Sequence, residues 1–83
     1  MTTVIAPTQT LNIKGMRCPM PIIWAKSMLR SLQDGEILEI LATDPDAIQN
    51  FKSFARSTGH ELVDWSEADG SIRILLRKHE TPE

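Results

Sequence analysis

Apolar residues recur along this chain at two periods, and the switches between them mark out its elements. Across residues 9–14, Leu11 and Ile13 share one face with Asn12 opposite, the alternation of a strand. Ile22, Ala25, Leu29 and Leu32 then recur three and four apart and predict a helix running to about Leu32. Gln33-Asp34-Gly35 is a turn cluster, with glycine ending that helix. Residues 36–43 form a strongly apolar run of strand length, expected as a central strand. Leu38, Ile40 and Ala42 would face the helices, leaving Ile37, Glu39 and Leu41 on the other face. Asp44 is expected to N-cap a second helix with Pro45 at its first position. The stripe Ile48, Phe51, Ala55, with Phe54 beside it, carries that helix to about Thr58, and Gly59 stops it. Val63 and Trp65 at period two predict a third strand over residues 61–67. Asp69-Gly70 is a hairpin turn signal. Ile72, Ile74 and Leu76 alternate with Arg73, Leu75 and Arg77 in a fourth strand over residues 71–78. Trp24 and Trp65 are expected in core or edge packing.

The resulting order, βαβαββ, predicts an α/β fold: a two-layer sandwich in which two helices cover one face of a four-stranded mixed sheet. Right-handed crossovers place both helices on that face. The other face would carry Ile37, Leu41 and Leu75 beside Glu39, Arg73 and Arg77, a mixed surface able to take a protein partner. Residues 1–83 read as a single domain, ordered over about 9–79, with no repeat, linker or low-complexity tract.

Composition narrows the function classes. Eighty-three residues with 41% hydrophobic content support one small core. The net charge of -2 gives no whole-protein attraction to nucleic acid or to anionic membranes. No apolar stretch approaches the length of a membrane span, and the beginning lacks a charged-then-apolar signal pattern, so a cytoplasmic protein is expected. One cysteine cannot form an internal disulfide. His60 and His79 have no ligand spacing to it, so neither a metal site nor a cofactor is expected.

That cysteine lies in Gly15-Met16-Arg17-Cys18-Pro19-Met20-Pro21. Proline is tolerated in a first helical turn and disruptive later, so Pro19 and Pro21 put the helix start at or just after Cys18. There the unpaired N–H groups and the macrodipole favour negative charge, and Arg17 is a basic neighbour. An ordinary cysteine with a pKa near 8.5 is roughly 3% thiolate at pH 7. A drop of about 1.5 units would ionise about half the population, for about 2 kcal/mol of differential stabilisation. Lys26 and Arg30, four apart on the first helix, form either a solvated face or a docking patch for an acidic partner. His60 is expected as a surface or hydrogen-bonded residue where the third strand starts.

Arg17-Cys18-Pro19-Met20-Pro21 after a strand ending in Gly15 resembles the Cys-Pro-x-Pro signature of the TusA/SirA-like sulfur carrier family. Asp44-Pro45 opening a second helix, Gly59-His60-Glu61-Leu62 leading into a strand, and the final hairpin extend the resemblance over roughly residues 11–78. It implies a two-layer α/β sandwich whose motif cysteine relays persulfide. On this chain that role falls to Cys18, with Arg17, Pro19 and Pro21 as its motif neighbours. The implied partners are a sulfur donor, of cysteine desulfurase or rhodanese type, and a sulfur-acceptor protein serving tRNA thiolation, sulfur oxidation or cofactor assembly. No direct nucleic-acid or membrane partner is expected, and a relay thiol needs access, which suits a monomer. Some members of the family have a second cysteine late in helix two. Ala55 stands there in this chain, which removes an internal resolving thiol and leaves a single-cysteine relay. The sulfurtransferase-type relay would then need partner proteins for turnover. Two other readings stay open at this point: a regulatory or adapter domain binding protein or RNA without persulfide chemistry, and a redox enzyme recruiting its resolving thiol from another protein.

Overall fold

The computed structural model describes residues 7–16 and 20–79. Its elements are β1 (Gln9–Asn12), α1 (Met20–Arg30), β2 (Ile37–Ala42), α2 (Ala47–Thr58), β3 (Glu61–Ala68) and β4 (Ser71–Arg77). The strands form one sheet in the order β1-β2-β4-β3. β1 runs parallel to β2, and β4 is antiparallel to both β2 and β3. The β3–β4 hairpin therefore inserts its second strand beside β2 and leaves β3 at the edge. Asp69 (φ 53°) and Gly70 (φ 79°) both take positive φ at its tip, the requirement of a tight two-residue hairpin turn.

One face of the sheet holds the core. Leu38, Ile40 and Ala42 of β2 and Ile72, Ile74 and Leu76 of β4 pack there with Leu11 of β1. Ala25 and Leu29 of α1, and Ala47, Phe51, Phe54 and Ala55 of α2, close over them in a single cluster. This is the expected four-stranded α/β sandwich, with the stripes that periodicity assigned to the two helices turned inward. Each fully buried Ile or Leu contributes about 1.5–3 kcal/mol.

Several boundaries and exposures differ from expectation. β1 stops at Asn12 because Met16 N–H donates to Ile13 O (3.0 Å), which turns the chain two residues early. β3 carries an irregularity between Leu62 and Asp64 that breaks the two-residue period. Trp65 then pairs with Ile74, on the helix side at the sheet's edge, where Lys52 Nζ lies 4.3 Å from its ring centroid. Trp65 is 43% exposed and Trp24, on the outer side of α1, is 47% exposed, so neither tryptophan is core.

The opposite face is less apolar than the sequence implied. Ile37 and Leu75 are buried rather than displayed. In register, Leu75 sits opposite Glu39 and between Arg73 and Arg77 along β4, among side chains whose long apolar stems suit covering a neighbour. Arg73 pairs with Glu39, which also accepts a hydrogen bond from Thr10 Oγ1 (2.9 Å). The Arg73 bond, followed by the weaker help of Thr10, holds the Glu39 carboxyl below its ordinary range despite partial burial.

Candidate functional site

Because β1 and β2 are parallel, both end at the same edge of the sheet, and the loop that follows β1 is built there. Ile13 N–H still donates to Leu41 O (2.8 Å), and Gly15 N–H donates to Thr43 Oγ1 (2.9 Å) just past the end of β2. Lys14 N–H donates to Asn12 Oδ1 (3.1 Å). Gly15 has φ 84°, a left-handed conformation that a side chain would strain. The chain is thus pinned immediately before the motif. Arg17, Cys18 and Pro19 lie outside the described residues.

α1 begins at Met20, two residues after Cys18, in agreement with a helix start just after the cysteine. Its first turn contains no acidic residue, so its free N–H groups and positive dipole end stay unneutralised by any carboxylate of their own. Pro21, second in the helix, is buried and lines a small apolar pocket with Ile13, Met16, Ile22 and Phe51. Its missing N–H costs nothing there, and it anchors the helix start to the core.

Beside this junction lies an open cleft of about 640 Å³, lined by Gly15, Met16, Thr43, Asp44, Asp46 and Asn50. Asp44 does not cap α2 from the position expected. The helix starts at Ala47 with Asp46 in the cap position and no side-chain cap bond. Asp44 instead closes the turn before it: its Oδ1 accepts from Asp46 N–H (3.0 Å) and its carbonyl from Ala47 N–H (2.9 Å). Sequence reasoning had no functional use for Thr43, Asp44, Asp46 or Asn50. The usable signal was topological, since ligand and reaction sites in α/β sheets gather beyond the carboxyl ends of parallel strands. Chemically, the α1 N-terminus favours an anion at this edge and the two aspartates oppose one.

Lys26 and Arg30 are both exposed and lie toward the other end of α1, about 9 and 15 Å along its axis from Met20. They line a shallow cavity of about 260 Å³ with Leu29, Thr58, His60 and Lys78. Lys78 Nζ donates to Leu32 O (2.7 Å) and Arg30 O (3.4 Å), where a cation complements the carbonyl end of α1. His60 Nδ1 accepts the His79 backbone N–H (3.1 Å). Burial, then the charges of Lys78 and His79, push the His60 pKa below the usual histidine value. Glu61 Oε1 bonds both His79 Nε2 (3.2 Å) and Arg77 Nη1 (2.9 Å). The structure therefore keeps Lys26 and Arg30 together, adds His60 and Lys78 to them, and sets the group apart from the start of α1.

Three comparisons bear on this arrangement. The family described as Sulfurtransferase TusA matches residues 9–78. The sulfur carrier protein TusA of Allochromatium vinosum is 39% identical over 70 residues, spanning 84% of this chain and 92% of that protein. A protein of Neisseria meningitidis serogroup A that bears a sulfur-carrier name is 43% identical over 70 residues, 84% of this chain and 95% of its own length. The crystal structure of a SirA-like protein from Desulfitobacterium hafniense superposes with a TM-score of 0.77 at 28% identity, covering 88% of this chain and all of that one. Together with a sandwich whose first parallel strand leads through a pinned loop into a helix, these matches place the chain in the TusA family of sulfur carriers.

Proposed function

We propose that Cys18 is the sulfur-bearing residue of this sulfur carrier. Its thiolate attacks the outer sulfur of a donor persulfide, the donor's S–S bond breaks, and the donor leaves as a thiolate while Cys18 becomes Cys18–S–S⁻. An acceptor thiolate then attacks that outer sulfur and releases the Cys18 thiolate. Each transfer exchanges one S–S bond for another, with no net oxidant and no general base once the thiol is ionised. The donor is of cysteine desulfurase or rhodanese type, and the acceptor belongs to tRNA thiolation, sulfur oxidation or cofactor assembly. Turnover requires both proteins, and the carrier works as a cytoplasmic monomer without cofactor, nucleic acid or membrane.

The observation that supports this reading is the junction itself. Gly15 is fastened to Thr43, and α1 opens two residues after Cys18 with no acid in its first turn. An exposed helix N-terminus stabilises an adjacent anion by about 0.3–1 kcal/mol, which serves the thiolate and the persulfide alike. Arg17 adds a positive charge, while Pro19 and Pro21 shape the loop and the helix start. Lys26 and Arg30 dock an acidic partner. Incubation with a desulfurase and cysteine, or with a rhodanese and thiosulfate, tests the reading by intact-mass analysis. The wild-type chain should gain about 32 Da per sulfur atom and lose it to thiol acceptors, and Cys18→Ser should stay unloaded with its fold unchanged. A wild-type chain that never gains sulfur from either donor refutes it.

A further inference from the structure

Around the concavity at the far end of α1, the described side chains contribute three cations, the His60 ring and the Thr58 hydroxyl, and the acceptors among them are taken: Thr58 Oγ1 donates to Phe54 O (2.7 Å) and accepts from His60 N–H (3.5 Å), and His60 Nδ1 accepts from His79 N–H. Lys26 and Arg30 come from α1, Lys78 from the chain just past β4, and His60 from the start of β3. Among the described residues, no carboxylate lines the cavity. Among the described residues, neither Lys26 nor Arg30 has an ion-pair partner. Lys78 spends two of its three protons on carbonyls and keeps one. His60 accepts a backbone N–H at Nδ1, so its neutral ring carries its proton on Nε2. A chain with net charge -2 thus gathers three cations into one hollow that only an acceptor-rich anion complements.

We infer that this hollow docks a carboxylate-bearing segment of a partner protein, and that docking draws a proton onto His60. The inference rests on the proposed docking role of Lys26 and Arg30 and deepens it by naming the partner's chemistry and a titrating member of the surface. Lys26 and Arg30 face His60 from α1, Lys78 and His79 from the chain after β4, and Phe54 from α2, with ring centroids 6.0 Å apart. The adjacent acid, Glu61, is already engaged by His79 and Arg77. Burial of the ring, and after it the surrounding cations, therefore resist a further positive charge on the free surface, in keeping with the downward shift of His60. Carboxylates laid into the hollow reverse that balance. The second proton must arrive at Nδ1, where it displaces the His79 N–H. Binding consequently tightens as pH falls through and below the ordinary histidine range near 6.5.

A hexaglutamate peptide titrated into the full chain at low ionic strength, with amide shifts followed by NMR, tests this. The wild type should bind roughly 3- to 10-fold more tightly near pH 5.5 than near pH 7.5, relative to His60→Gln, which corresponds to about half to one pKa unit at His60. Shifts should centre on Lys26, Arg30 and Lys78, and the His79 amide signal should move as its acceptor is lost. Equal pH dependence in wild type and His60→Gln, with folding unchanged, overturns the proton coupling and leaves the docking role standing. Unchanged affinity in Lys26→Ala/Arg30→Ala at both pH values overturns the docking role itself. Tighter binding of an oligouridylate than of the peptide overturns the choice of a protein carboxylate as occupant.

Discussion

Gly15 offers a measurement of how tightly the cysteine loop is held. Its φ of 84° lies in the left-handed region, and among the described residues a Cβ built there meets no atom within 4 Å. Gly15→Ala therefore carries a conformational cost of about 1–2 kcal/mol with no steric cost. The stiffer unfolded chain returns about 0.4–1 kcal/mol, leaving a net loss of about 1 kcal/mol. For a domain of this size that lowers Tm by about 4–8 °C. Gly15→Asn should lose less, because asparagine visits this region with help from its own side chain. Thr43→Val removes the acceptor of the Gly15 N–H, a bond worth about 0.5–1.5 kcal/mol. If alanine relieves its strain by leaving the left-handed region, that bond is already broken, and the double variant should lose less than the sum by about 0.5 kcal/mol or more. Thermal and urea unfolding followed by circular dichroism read the wild type and all four variants. Alanine within about 0.3 kcal/mol of wild type, or asparagine no better than alanine, would refute the assignment of strain to Gly15.

Phe51 is 1% exposed and meets Phe54 edge-on at 6.1 Å, so Phe51→Ala should cost about 3–5 kcal/mol and leave much of the domain unfolded at 37 °C in a denaturation curve. Glu39 has a lowered pKa in the folded state, so its contribution is present above the unfolded carboxylate pKa near 4.5 and is lost as pH falls through the folded value. Acid titration of stability should show that loss in wild type, and a flatter acid limb in Arg73→Met. His60 adds loss in the same direction from a higher start, since the unfolded state binds its proton first, below about pH 6.5. His60→Gln should remove that upper part of the decline.

The fold was legible because its strands and helices announce themselves by period. Leu38, Ile40 and Ala42 against Ile72, Ile74 and Leu76 is a core face that alternation alone identifies. Features that depend on neighbours in space escaped. The irregularity at Leu62/Asp64 moved Trp65 to the helix side, and no local pattern foretells one extra residue in a strand. Leu75 is buried on the open face, opposite Glu39 of β2 and flanked by Arg73 and Arg77 of its own strand, a consequence of register rather than composition. Of the candidate site, the start of α1 was legible, because proline and glycine punctuate the chain there. Its surroundings were not: Thr43 and Asp44 reach the loop through strand pairing, and Lys78 joins Lys26 and Arg30 from 48 residues beyond Arg30.

The sulfur relay proposed for this carrier requires an ionised thiol between β1 and α1. The most direct measurement is the rate of iodoacetamide alkylation of Cys18 in the folded chain as a function of pH. A midpoint near pH 7, about 1.5 units below an ordinary cysteine, is the expected result. A midpoint at about 8.5 or above, in a chain shown to be folded, would contradict the account.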